Sequence, residues 1–219
     1  MDVYSGWESY YVNASAAAWK DEPDAAVLDL QRRVGSINSP HVADMGCGDG
    51  RNLWPWLMRP CTVACIDMSA TALQRIAKRC QDENISLPTL LKSDMSCTPL
   101  SSDQFDVVQC YDALPQIVDP AEGMAEARRI LRLGGLYGFN VFTPGDAAFG
   151  EGERVGENAY LFNNTLFRFF EHGDVERLLP KGLRVIDSVK RRWTDPPHIP
   201  FRPTVHEHEA YFFVCKKVA

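Results

Sequence analysis

Between His41 and Asn52 the chain reads His-Val-Ala-Asp-Met-Gly-Cys-Gly-Asp-Gly-Arg-Asn. β-Branched and small apolar residues lead to a carboxylate, Asp44, and then to glycines at 46, 48 and 50. Residues without a Cβ let the backbone turn sharply and let a ligand approach it closely. A helix following that turn would offer unsatisfied N–H groups and a positive dipole end. The chemistry is that of a cofactor seat. The spacing G-x-G-x-G departs from the dinucleotide fingerprint, because Arg51 occupies the third-glycine position. No Gly-Lys-Ser/Thr follows to make a phosphate loop. Asp44 would repel a pyrophosphate and attract an ammonium group.

Further polar residues fall where short apolar runs stop. Asp67 ends Thr62–Ile66, Asp94 ends Thr89–Ser93, and Tyr111 ends Phe105–Cys110. Ligands of open α/β sheets bind outside the carboxyl ends of the strands. Asp67 lies 23 positions after Asp44, near the spacing at which an acid meets a ribose diol. It also suits the N-terminus of a helix capped by Ser69, and Asp94 also suits an exposed loop.

The C-terminal part holds a second set: Asp195-Pro196-Pro197-His198, Phe201-Arg202-Pro203 and His206-Glu207-His208-Glu209. In extended backbone His206 and His208 point one way, and Glu207 and Glu209 the other. With His198 the two histidines have the types for a three-histidine metal site. Hydrogen-bonded edge residues, a substrate-binding pair or a general base are the other uses. No metal is expected. His172 suits a capping or surface role.

The elements that must position these groups alternate strand and helix, the mark of a parallel sheet wrapped by helices. Expected are a helix over Asn52–Leu57 with Pro55 in its first turn, and one over Ala70–Cys80. Another begins at Pro120 and stops at Leu133-Gly134-Gly135, before a strand over Leu136–Phe142. Leu166–Leu179 is expected to be mainly helical, despite Gly173. Arg184–Trp193 and Ala210–Lys216 are expected to be the last strands.

The run Asp44-Met45-Gly46-Cys47-Gly48-Asp49-Gly50 resembles motif I of the class I S-adenosylmethionine-dependent methyltransferases, D-x-G-C-G-x-G. Phe105-Asp106-Val107-Val108, followed by a helix ending Leu131-Arg132-Leu133-Gly134-Gly135, is similar to that superfamily too. The resemblance covers roughly residues 35 to 145 and implies a doubly wound α/β fold. That fold has a mostly parallel seven-stranded sheet, an antiparallel last strand and helices on both faces. It implies S-adenosyl-L-methionine as cofactor, with S-adenosyl-L-homocysteine as product. Asp44 would face the amino group of the methionine moiety, and Gly46, Cys47 and Gly48 would line it. Arg51 would reach the carboxylate or stay a solvated helix residue. Asp67 and Met68 would take the ribose side and Asp94 and Met95 the adenine. Tyr111 would stand by the transferable methyl.

The expected layout is one domain over 1–219: a helical lid segment over 1–35, a cofactor-binding core over 36–145, and substrate-side loops with the C-terminal strands over 146–219. Tyr4, Trp7, Tyr10 and Tyr11 either cover the cofactor or pack a helix onto the sheet. Gly145–Asn163, glycine-rich and polar, is a second candidate lid. Tyr11, His198 and Arg202 are candidate acceptor contacts, and Tyr111, His206 and His208 candidate catalytic groups. The expected activity is methyl transfer to a small molecule. An aminopropyltransferase using the decarboxylated cofactor and a non-catalytic cofactor-binding subunit stay open as alternatives.

Charge and composition exclude other classes. A formal charge of −6 leaves no basic stripe for nucleic acid. Asp195-Pro196-Pro197-His198 is similar to the D-P-P-Y signature of amino-methylating DNA enzymes only superficially: that signature belongs after the fourth strand, and its tyrosine is missing. No run of about 18 apolar residues offers a transmembrane helix. The first residues lack a basic n-region and an apolar h-region, so a cytoplasmic location is expected. Seven scattered cysteines without C-x-x-C pairs suit reduced, buried thiols. Nothing in the sequence sets an oligomeric state or an acceptor atom.

Overall fold

Strand β1 (His41–Met45) lies inside a seven-stranded sheet in the computed structural model, which describes residues 5–13, 22–35, 37–197 and 202–219. It pairs in parallel with β2 (Thr62–Asp67) on one side and β4 (Phe105–Cys110) on the other. Outside these run β3 (Thr89–Lys92), parallel to β2, and β5 (Leu131–Phe142), parallel to β4. The last strand, β10 (His206–Lys217), inserts antiparallel between β5 and β9 (Leu183–Asp195), which forms the edge. The order β3-β2-β1-β4-β5-β10-β9 reverses direction of growth beside β1, so the crevice above β1 and β4 is the switch point where ligands bind.

Successive strand side chains point to opposite faces, and the core divides accordingly. Val42, Val63, Cys65 and Val107 face α2 (Ala25–Val34), α3 (Trp54–Leu57) and α4 (Ala70–Asp82). Ala43, Ala64, Ile66 and Val108 face α5 (Pro120–Ile130) and α6 (His172–Leu178). Strands buried on both faces read as apolar runs, as they do here. Each main helix starts at a side-chain cap: Asp24 accepts from Ala26 N, Ser69 from Ala72 N, and Asp119 from Ala121 N. A buried clip joins α3 to β4. Trp56 Nε1 donates to Gln109 Oε1 at 2.8 Å, and Gln109 Nε2 donates to Asn52 O at 3.1 Å.

Four elements depart from the sequence expectations. The helix after the glycine turn is only Trp54–Leu57, since Asn52 and Leu53 at its predicted start belong to a turn. Strand β5 begins at Leu131 rather than Leu136, with Gly134 at φ +83° and the register shifting beside it. Leu166–Leu179 is not mainly helical: Thr165–Arg168 is strand β8, and only α6 is helix. The Gly145–Asn163 segment contains β6 (Glu153–Gly156) and β7 (Ala159–Phe162), which join β8 in a three-stranded antiparallel sheet. Asn163 and Asn164, at φ +49° and +55°, form the two-residue turn that right-twisted hairpins favour. Helix α1 (Ser5–Asn13) packs by Tyr10 and Tyr11 on Ala72 of α4, with Phe162 and Phe167 of the small sheet alongside.

Candidate active site

The glycine turn is fixed from below and covered from above. Gly46 N and Cys47 N both donate to Ile66 O, at 2.8 and 3.1 Å, which pins the turn onto β2. Gly46 (φ +75°) has no room for a side chain, because a Cβ there would stand 2.3 Å from Ala113 Cβ. At Gly48 (φ +53°) a Cβ would stand 2.4 Å from the Tyr11 hydroxyl. Asp67 stitches the turn to α4: Oδ2 accepts from Gly48 N and Oδ1 from Ser69 N, each at 2.8 Å. Burial pushes the Asp67 carboxyl up from its ordinary value, and these N–H donors oppose the rise. A carboxylate oxygen has capacity for a second donor, so both oxygens can still serve a ribose diol.

Asp44 is the most telling residue of the cleft. It is 2% exposed, and among the described residues its Oδ2 has no hydrogen-bond partner. Desolvation raises its pKa to about 7, with Asp67 adding to the rise and Gln109 and Arg51 opposing it. A buried carboxylate oxygen without a donor costs roughly 1–3 kcal/mol or more, which a cationic ligand group would offset. The cleft above it holds about 400 Å³ and is lined by the ends of β1, β2, β3 and β4, through Asp44, Asp67, Asp94 and Tyr111. Met68, 40% exposed, and Met95, 9% exposed, add apolar surface. Asp94 Oδ1 accepts from Ser96 N at 2.8 Å. An orphaned carboxylate, bare glycines, a second strand-end carboxylate and an apolar slot together fit S-adenosylmethionine.

Other candidates make contacts of their own within the protein. Tyr111 reaches the cleft, yet its hydroxyl donates toward Ala26 O at 3.5 Å and its ring lies 6.2 Å from Phe212. Burial pushes that phenol up. Arg51 lines the cleft and pairs with Asp112 at 2.5 Å. The Cys47 thiol is buried and faces Gly48 O at 3.6 Å, and burial raises its pKa. Tyr11 is 8% exposed and covers Gly48, with Arg75 donating to its carbonyl. Arg202 forms an ion pair with Glu151. Tyr4 and His198 lie outside the described residues.

A second, smaller cavity of about 60 Å³ adjoins the first and shares Trp7, Asp112 and Gln116 with it. Its walls are the rings of Phe142, Phe162, Phe167 and Trp193, with His208, Asp146, Asp195 and the Glu151–Arg202 pair. His208 lies between Phe142 and Trp193, with ring centroids 5.7 and 5.2 Å away. Its Nδ1 meets Asp146 Oδ2 at 2.8 Å, and its Nε2 meets His206 Nε2 at 2.9 Å. Glu209 points to the opposite face, where Lys190, Thr143 and Arg192 hold its pKa down at about 2. Among the described residues no group of three histidine, cysteine or acidic side chains is arranged to hold a metal ion.

Sequence reasoning missed Asp112, Asn140 and Asp146. Asp112, at φ +59°, is clasped by Asn140, which accepts from its N–H at 2.6 Å and donates to its Oδ1 at 2.7 Å. A non-glycine residue at positive φ persists only where its surroundings over-determine it, and such positions cluster at functional sites. A signal for Asp112 existed in its place just past a strand end. Asp146 carries none, because its partner His208 is 62 positions away.

Residues 43–139 match a protein-family model described as a methyltransferase domain. The ubiquinone biosynthesis O-methyltransferase of Bordetella pertussis is 27% identical over 192 residues, which is 80% of this chain and 70% of that protein. Against the corresponding protein of Serratia proteamaculans the chain spans about half the length, at 24% identity. Among solved structures, a SAM-dependent methyltransferase from Methanosarcina mazei superposes with a TM-score of 0.71 at 12% identity, covering 90% of this chain and 99% of that one. The 1,6-didemethyltoxoflavin-N1-methyltransferase of Burkholderia thailandensis superposes with a TM-score of 0.65 at 18% identity, covering 98% and 88%.

Proposed function

We propose that this chain is a class I S-adenosylmethionine-dependent methyltransferase that methylates an oxygen or ring nitrogen of a small, flat acceptor seated in the aromatic chamber. The observation that carries the proposal is the wall of Trp7, Asp112 and Gln116 common to both cavities. Two ligands held on either side of that wall meet there, and the rest of each cavity keeps them apart. S-Adenosylmethionine supplies an electrophilic methyl carbon when bound in the larger cleft.

The protein's part is placement, desolvation and handling of a proton. Asp44 and the bare edge of Gly46 and Gly48 hold the amino-acid end, Asp67 the ribose, and Asp94 with Met95 the adenine. Tyr11 and Trp7 of α1 exclude water from the turn and from the common wall. Alignment of the two reacting atoms accounts for a large part of the rate in such displacements. The rings of Phe142, Phe162, Phe167 and Trp193 favour a flat acceptor through stacked and edge contacts. The O-methyltransferase and N1-methyltransferase names of the similar proteins support a heteroatom acceptor of this kind.

The chain acts as a single domain in which 1–35 form the cover, 36–145 the cofactor core and 146–219 the acceptor side. Its seven unpaired cysteines favour a reducing compartment, the cytoplasm, and its net charge of −6 disfavours a nucleic-acid partner. Among the described residues no helix is long and apolar enough to cross a membrane. The test is transfer of a labelled methyl group to a panel of phenols and nitrogen heterocycles. Trp193→Ala is expected to raise the acceptor KM about tenfold while leaving cofactor affinity within about twofold. Equal loss of both affinities would remove the chamber from the acceptor site.

A further inference from the structure

Resting on methyl transfer in that chamber, we propose that His208 and His206, held by Asp146, form a relay that takes the proton from the acceptor. Asp146 is the positioning residue. Its carboxylate, 4% exposed, faces three nitrogens: Ala148 N at 2.8 Å on Oδ1, and Glu209 N at 3.0 Å and His208 Nδ1 at 2.8 Å on Oδ2. The backbone N–H groups only donate, so this carboxylate is an acceptor and His208 Nδ1 carries a hydrogen. On the far side His206 Nδ1 lies 2.9 Å from Thr204 O, which only accepts, so that nitrogen carries a hydrogen as well.

Both Nε2 atoms are then lone pairs, and they stand 2.9 Å apart. Two lone pairs at that distance repel, whereas one added proton turns the contact into an N–H···N hydrogen bond of ordinary length. The pair is therefore built to be completed by one proton. The charge so created is balanced by Asp146 and by Asp195, 3% exposed, whose Oδ2 is 3.7 Å from His208 Nε2. The remaining charges around the chamber form their own pairs, Glu151 with Arg202 and Asp112 with Arg51. On the other face of β10, Glu209 is taken by Lys190 and Arg192. Phe142 and Trp193 hold the His208 ring between them in apolar surroundings, where such contacts are strengthened.

Asp195 and His208 both line the chamber, which puts the His208 ring beside the acceptor. In the step the acceptor's O–H or N–H bond breaks and its electron pair stays on the heteroatom, which becomes the nucleophile. The proton joins His208 Nε2, is shared with His206 Nε2, and returns to water after the product leaves. The acceptor class follows: a phenol or heterocycle that still carries its proton at the working pH.

The test compares His208→Gln and Asp146→Asn with the unmodified protein on phenols of graded acidity. For a phenol that is neutral at the assay pH, His208→Gln is expected to lower kcat about 100-fold, the scale of general-base catalysis. For a nitrophenol already ionised, the loss is expected to stay under about threefold. Asp146→Asn, whose amide presents the wrong partner to Nδ1, is expected to show the same split. Equal losses across the series would overturn the relay. Nitrogen NMR of the histidine rings in the unmodified, cofactor-free protein provides a readout independent of turnover. Protonated Nδ1 and bare Nε2 atoms are expected on both rings, with one proton shared by the Nε2 atoms after acidification. A ring in the Nε2–H tautomer, or stoichiometric zinc by elemental analysis, would overturn the proposal. Cofactor binding with no transfer to any acceptor would defeat the functional reading, whereas transfer indifferent to His208 would defeat the relay alone.

Discussion

Replacing Asp44 by asparagine removes one titrating group from the floor of the cleft, and the consequence can be followed in two assays. The gap between its pKa of about 7 and the ordinary 3.8 corresponds to about 4 kcal/mol at ~1.4 kcal/mol per unit. The folded value is the higher one, so the folded state binds more protons than the unfolded state between these limits. Stability from this group is therefore full below about pH 3.8 and is lost as pH rises through about 7. In denaturant unfolding without cofactor, Asp44→Asn should gain stability relative to the unmodified protein as pH rises from about 4 to 8, by as much as about 4 kcal/mol. The second assay is calorimetric binding of S-adenosylmethionine in buffers of different ionisation enthalpy. An ammonium group placed against Asp44 favours the carboxylate, so binding should release roughly 0.9 proton at pH 6 and roughly 0.1 at pH 8. The asparagine variant should release none through this group and bind about 1.5–3 kcal/mol more weakly at pH 8. A stability difference flat with pH, or proton release unchanged by the substitution, would refute the placement of the amino group.

Three other substitutions probe separate parts of the site. Asp67→Ala removes acceptors for Gly48 N and Ser69 N and the proposed ribose contact, and should weaken cofactor binding by about 1–3 kcal/mol in calorimetry. Gly48→Ala should cost about 1–3 kcal/mol in denaturant unfolding, from its φ of +53° and the Tyr11 hydroxyl 2.4 Å from the new Cβ; adding Tyr11→Phe should restore only the steric part. Glu209→Gln tests the ion-pair face of β10. The Glu209 pKa of about 2 lies below its ordinary value, so its stabilisation is present above about pH 4.5 and lost as pH falls through about 2; acid unfolding of the variant should lack that component.

The strand-end carboxylates and the glycine turn were legible because they are local. Asp44, Gly46, Gly48 and Asp67 declare themselves by spacing within one βαβ unit, and the structure brings them to one cleft. The hairpin of β7 and β8 was legible too, had the Asn163-Asn164 pair between Tyr160-Leu161-Phe162 and Thr165-Leu166-Phe167 been weighed above helical periodicity. The acceptor chamber was not. It draws Trp7 from α1, Phe162 and Phe167 from the small sheet, and Trp193 and His208 from the last two strands, and only tertiary packing joins them. His206 and His208 stood out by their alternation, but the partner that orients them, Asp146, is fixed by a turn after β5. For Tyr111 only the position was legible: it lies at the cleft, and the space open beside Gly138 draws its hydroxyl into the core.

A crystal structure with S-adenosylhomocysteine bound tests the joined-cavity arrangement most directly. The sulfur is expected against the wall of Trp7, Asp112 and Gln116, open to the aromatic chamber, with the amino group on Asp44 and the ribose on Asp67. A sulfur sealed from that chamber, or an adenine in its place at the common wall, would contradict it.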